Sequence, residues 1–151
     1  MQTVRQSLIP RSNDFPGDRV TMSEDERIPV LVVEDNVNLR HALVLQLHVL
    51  GIKADSAANG MEALRRVHDS QYDLILMDVQ MPVMDGLEAT AAIRNYEQNE
   101  HRSPVPIVAV TGGGSTKEKC LRAGMNGYFE KPMLLDNLKI LIAEAAPALL
   151  Q

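Results

Sequence analysis

Leu74-Ile75-Leu76-Met77 is an unbroken apolar run that stops at Asp78. A run this short, followed at once by turn-forming residues, reads as a buried strand rather than a helix. Met81-Pro82 and Asp85-Gly86 supply the turn signals. A strand with no polar face has to be covered on both sides, so the run calls for a sheet sandwiched between helices. The carboxylate of Asp78 then falls at the C-terminal end of a buried strand, where open α/β sheets bind their ligands. A charge buried there costs several kcal/mol unless a cation or phosphate chemistry compensates it. Asp78 is therefore the candidate reactive residue.

The same pattern recurs along the chain. Val30-Leu31-Val32-Val33 reads as a buried strand ending at Glu34-Asp35. Asn36 can cap a helix to about Leu50, with Leu39, Leu43, Leu47 and Leu50 at helical spacing and Gly51 closing it. Lys53 to Ala57 reads as a strand, and Asn59-Gly60 leads into a helix over 61–70 with Ala63, Leu64 and Val67 inward. After the Asp78 strand, a helix is expected over 87–97 and a loose polar excursion over Asn95 to Ser103. Ile107 to Val110 is the fourth strand, ended by Thr111 and three glycines. A helix over 115–123 stops at Gly124, Gly127 to Glu130 is the fifth strand, and Lys131-Pro132 leads into a helix over 135–145. Five strand–helix units in one chain predict a flavodoxin-like (βα)5 doubly wound fold with parallel strand order 2-1-3-4-5.

At 151 residues the chain suits one domain, expected over 28–147. Residues 1–27 hold Pro10, Pro16, Gly17 and few apolar side chains, and read as a disordered tail or linker. Residues 148–151 read as a short tail. The net charge of −5 and the 3% aromatic content argue against nucleic-acid binding. The same charge argues against an electrostatic membrane anchor, and no apolar run approaches the roughly 18 residues of a spanning helix. The single cysteine, Cys120, excludes an internal disulfide and fits a reducing, cytoplasmic compartment.

Glu34-Asp35, Asp78, Thr111 and Lys131 all follow predicted strands, so a parallel sheet gathers them at one rim. Carboxylates brought this close repel one another unless a cation bridges them. An all-oxygen site with few protein ligands suits Mg²⁺, which keeps several waters and partners a phosphate. The Thr111 hydroxyl and Lys131 ammonium are groups that hold phosphate oxygens. A carboxylate nucleophile with these neighbours describes phosphoryl transfer and an aspartyl phosphate. The glycines 112–114 lack the Gly-Lys-Ser/Thr of a phosphate-binding loop.

With VLVVEDN, LILMDVQMPVMDG, IVAVTGG and YFEKP in this order, the sequence resembles the receiver domain of two-component response regulators. The wording MDVQMPVMDGLEAT is most like receivers of hybrid histidine kinases. The resemblance implies that Asp78 accepts a phosphoryl group from a phosphohistidine, carried by a histidine kinase or a histidine phosphotransfer protein. It implies a Mg²⁺ site of Glu34, Asp35, Asp78 and Gln80, with Asp35 binding directly, Glu34 mainly through water, and Gln80 through its backbone carbonyl. Thr111 and Lys131 would hold the phosphate, Thr111 and Tyr128 would form the switch, and the Lys131-Pro132 bond would be cis. The first helix would dock the phosphodonor and the 115–145 face would change on phosphorylation, with a homodimer through that face allowed. The three glycines after Thr111 depart from the family and predict a mobile loop. Two other functions compete. A phosphatase with an aspartyl nucleophile needs a general acid two residues on, where Gln80 stands. A receiver-shaped docking module would act without phosphorylation, although all the key residues are present.

Overall fold

The computed structural model describes residues 27–113 and 115–151. The expected tail over 1–27 therefore lies outside the described residues apart from Arg27. Five parallel strands form one sheet in the order 2-1-3-4-5. The elements are β1 (Val30–Val33), α1 (Val37–Val49), β2 (Ala54–Ala57), α2 (Gly60–Asp69), β3 (Leu74–Met77), α3 (Gly86–Asn99), β4 (Ile107–Thr111), α4 (Lys117–Ala123), β5 (Gly127–Glu130) and α5 (Leu135–Ala145). No helix among them is long and apolar enough to cross a membrane.

The unbroken apolar runs are explained by two cores, one on each face of the sheet. Successive side chains of a strand point to opposite faces. Leu31, Val33, Ile75, Met77, Ile107 and Ala109 pack with Ala63 and Val67 of α2, Ala89 and Ile93 of α3, and Cys120 of α4. Val30, Val32, Leu74, Leu76, Val108 and Val110 pack with Leu43 and Leu47 of α1 and with Leu138, Leu141 and Ile142 of α5. Each residue of β1, of β3 and of Ile107–Val110 is thus spent on one core or the other, and none of these is left for solvent. Side-chain caps fix the helix starts at the rim. Asn36 accepts the Leu39 N–H at 3.0 Å, and Asn59 accepts the Glu62 N–H at 2.9 Å. Asp85 and Glu88 form a reciprocal capping box.

Four expectations need correction. Leu39 is 43% exposed and Leu50 is only half-buried, so the apolar stripe of α1 is not buried along its whole length, whereas Leu64 of α2 packs inward against the core as expected. The polar stretch from Asn95 is no loose excursion, since α3 continues to Asn99. Glu97 there is 4% exposed, pairs with Arg94 at 2.9 Å and accepts the Val105 N–H at 2.8 Å. α4 begins at Lys117 because the Thr116 side chain caps it. The stretch read as a short tail holds a 3-10 turn over Pro147–Leu150, with Leu149 against the α1–α5 core.

Candidate functional site

Register decides which side chains meet. Val33 pairs with both Ala57 and Met77, so β1 and β3 end level, and Glu34 and Asp78 are the next residues off the sheet. The Glu34 N–H donates to the Ala57 carbonyl at 3.0 Å, and the Asp78 N–H to the Val33 carbonyl at 2.9 Å. Thr111 pairs with Glu130, so Lys131 leaves β5 beside Thr111 and its N–H donates to the Thr111 carbonyl at 2.8 Å. The four sequence signals therefore share one rim.

Their geometry is close. Carboxylate oxygens of Glu34, Asp35 and Asp78 lie within 4.8 Å of one another. Glu34 and Asp78 are buried, at 2% and 5% exposure, and Asp35 is open to solvent. The Lys131 Nζ bridges the buried pair, 2.6 Å from Glu34 Oε1 and 3.2 Å from Asp78 Oδ2. The remaining Glu34 oxygen accepts the Asn36 N–H at 3.1 Å. Burial pushes the Glu34 carboxyl above the usual range, although Lys131 and the Asn36 N–H pull against it. Burial works against the Lys131 ammonium, but its bond to Glu34 and the charge of Asp78 outweigh that and hold its pKa above the ordinary value. Three carboxylates against one ammonium leave the rim electron-rich. A divalent cation fits that donor set. Thr111 Oγ1 is buried without a hydrogen-bond partner among the described residues. An orphaned hydroxyl at such a rim fits an oxygen-rich ligand supplied from outside.

Two further expected residues are near. Gln80 is exposed and lines an open cleft with Asp85, Ser115 and Lys119. The half-buried Tyr128 donates its hydroxyl to the Ser115 carbonyl at 3.1 Å, with Glu130 Oε2 at 3.3 Å. Burial and the Glu130 carboxylate raise its phenol above the usual range. The ring thus already spans from β5 to the segment that follows Thr111. The Lys131-Pro132 peptide is cis, as expected.

Four further residues, of which the sequence had marked only Gly86, also shape the rim. Arg40 donates to the Glu34 carbonyl at 2.8 Å and lies 3.5 Å from that of Asp35, gripping the turn that carries both acids. Gln46 of α1 donates to the Met133 carbonyl at 3.0 Å. Gly86 donates to Val79 at 2.8 Å, and a Cβ there would fall on the Asp78 carbonyl oxygen. Val83 holds φ 72° while 80% exposed, a conformation β-branched residues avoid. Only Gly86 carried a signal, since a glycine after Asp85 marks a turn and also permits close approach.

A family model, the response regulator receiver domain, matches residues 30–143. The chain is 34% identical over 132 residues to hybrid signal transduction histidine kinase G of Dictyostelium discoideum, covering 86% of this chain and 4% of that protein. It is 41% identical over 106 residues to the sensor histidine kinase GacS of Pseudomonas protegens, covering 69% of this chain and 12% of that one. The chain thus spans a small part of these kinases. Among solved structures it is similar to the receiver domain of Ssk1 from Saccharomyces cerevisiae, co-crystallised with the histidine phosphotransfer protein Ypd1. The TM-score is 0.76, with 36% identity and coverage of 83% of this chain and 92% of that one. It is equally similar in sequence, at 36%, to the receiver domain of the sensor histidine kinase PA1611 from Pseudomonas aeruginosa, which holds a magnesium ion in its active-site cleft. There the TM-score is 0.69 and coverage is 79% and 97%. A family match over 30–143, shared with receivers that align along more than nine tenths of their length, makes the chain a member of the response regulator receiver domain family.

Proposed function

We propose that Asp78 accepts a phosphoryl group from a phosphohistidine in a Mg²⁺-dependent reaction, and that the chain is a phosphorylation-controlled signalling module. One observation carries this reading: three carboxylates converge within 4.8 Å, two of them buried and bridged by a single ammonium. When bound, Mg²⁺ would neutralise this cluster through Glu34, Asp35, Asp78 and the Gln80 carbonyl, and would draw phosphate oxygens to it. An Asp78 oxygen forms the new O–P bond as the donor P–N bond breaks, and the imidazole takes up a proton as it leaves. Lys131 follows the developing phosphate charge, and the free Thr111 hydroxyl donates to a phosphate oxygen. Tyr128 then responds through the Ser115 segment, which biases the 115–145 face.

The donor in this reading is a histidine kinase or a histidine phosphotransfer protein docking on α1, where Val37, Leu45 and Val49 are exposed apolar residues. The output is a protein contact on the 115–145 face, a homodimer among the options. The module spans 28–147 and works in the cytoplasm, away from nucleic acid and membrane. It acts on its own aspartate and turns over no separate substrate. The test is intact mass after incubation with acetyl phosphate, with and without Mg²⁺, for wild type and Asp78→Asn. The expected result is one phosphoryl group on wild type only, and only with Mg²⁺. A folded wild type that stays unmodified would overturn the reading.

A further inference from the structure

Gln46 is an amide set into an otherwise apolar stretch of α1, between Leu45 and Leu47. Its Nε2 donates to the backbone carbonyl of Met133 at 3.0 Å, across 87 residues of sequence. Its other end is poorly served, because Oε1 is buried and has no hydrogen-bond partner among the described residues. A buried amide with one unpaired end costs stability, so packing alone does not explain a glutamine here. Met133 lies two residues after Lys131, across the cis Lys131-Pro132 bond, and its side chain is held in the α1–α5 core. At the near end of this segment the Lys131 N–H is held by the Thr111 carbonyl, and Nζ reaches Glu34 and Asp78. The segment between β5 and α5 is therefore fastened at both ends, with Gln46 supplying the far one. α5 packs on the Met133 side chain but supplies no side-chain cap there, since its N-cap is Leu134, which makes no such bond and is 60% exposed.

From this arrangement we infer that Gln46 is a positioning residue for phosphoryl transfer. It ties the Lys131–Met133 segment to α1 and so fixes where the Lys131 ammonium stands over Asp78. The inference rests on the phosphoacceptor reading proposed above. It also makes α1 a lever on the site, because anything that shifts α1 shifts the anchor of Lys131.

The test compares wild type with Gln46→Met, which keeps shape and removes both polar ends, and Gln46→Glu, which keeps shape and cannot donate as a carboxylate. Three quantities are measured: the rate of the Mg²⁺-dependent adduct with acetyl phosphate, the thermal shift produced by Mg²⁺ alone, and amide hydrogen exchange of the peptide covering 131–134. Both variants should form the adduct about tenfold more slowly, the lower end of what losing an orienting hydrogen bond costs at such sites. Exchange over 131–134 should quicken in both. The melting temperature of Gln46→Met should not fall, and its Mg²⁺ shift should match wild type, because the acidic cluster is untouched. Wild-type adduct rates in the variants would overturn the inference. So would a slowed rate that comes with a lost Mg²⁺ shift and a lowered melting temperature, which would mark general loosening. An unmodified wild type would overturn the phosphoacceptor reading itself, and this inference with it.

Discussion

Replacing Asp78 by Asn should make the metal-free protein more stable, against the usual cost of changing a buried residue. Asp78 lies within 4.8 Å of carboxylate oxygens on both Glu34 and Asp35. At an effective dielectric of about 20, each such pair repels by about 3.5 kcal/mol, or about 7 kcal/mol for the two. Lys131 at 3.2 Å offsets about 5 kcal/mol of this on the same scale. The balance is about 2 kcal/mol unfavourable, and solvent around the exposed Asp35 trims it to about 1 kcal/mol. Lys131 is not orphaned by the change, since Glu34 stays 2.6 Å away, so the penalty for a stranded buried charge does not arise. For a domain of this size, 1 kcal/mol raises the melting temperature by about 3–5 °C. Calorimetric melts in EDTA should show Asp78→Asn above wild type by that margin. Millimolar Mg²⁺ should then raise wild type more than the variant, because a ligand bound only by the native state stabilises it by mass action. A variant that melts below wild type in EDTA, or an offset that Mg²⁺ leaves unchanged, would refute the electrostatic argument.

Other perturbations follow from single features of the fold. Val83→Gly should raise the urea midpoint by an amount equivalent to about 1 kcal/mol, because it releases a β-branched residue from φ 72°; an unchanged midpoint would show that the loop holds no strain. Gly86→Ala should cost about 1–3 kcal/mol and slow adduct formation, since the new Cβ meets the Asp78 carbonyl and stands 2.9 Å from Val79 Cα, both backbone. Wild-type melting and kinetics in that variant would contradict the contact. Tyr72 donates to Asp55 at 2.8 Å, and burial, with the Asp55 carboxylate, holds its phenol well above the usual range. A raised folded-state pKa gives stability that is complete below the unfolded value of about 10 and is lost as pH rises beyond it. Urea midpoints should therefore fall more steeply above about pH 10 in wild type than in Tyr72→Phe, and parallel curves would count against the coupling.

The strands and the rim were legible because each apolar run ends abruptly in a residue with chemistry, as Leu76-Met77 does at Asp78 and Ala109-Val110 at Thr111. Parallel register then does the gathering without any help from side chains. What escaped the sequence was set by tertiary partners. Glu97 looks like a solvated residue on a polar stretch, and its carboxylate is instead satisfied by Arg94 and by the return of the Val105 N–H. Arg40 and Gln46 sit on a helix face where a charge or amide normally means solvent, and their acceptors are backbone carbonyls, which carry no residue signature. Val83 contradicts its own backbone preference, so local propensity could not have found its turn. Leu39 kept helical spacing but is 43% exposed, since periodicity reports a helix face and says nothing of how far along the helix that face is covered.

Phosphorylation of Asp78 is tested most directly by locating the modified residue. Wild type treated with acetyl phosphate and Mg²⁺ would be reduced with borohydride, which converts an aspartyl phosphate to homoserine, then digested and sequenced by mass spectrometry. Homoserine is expected at position 78 and nowhere else, and none when Mg²⁺ is withheld. Homoserine at Asp35 or another carboxylate, or a folded protein with Asp78 intact under full treatment, would contradict it.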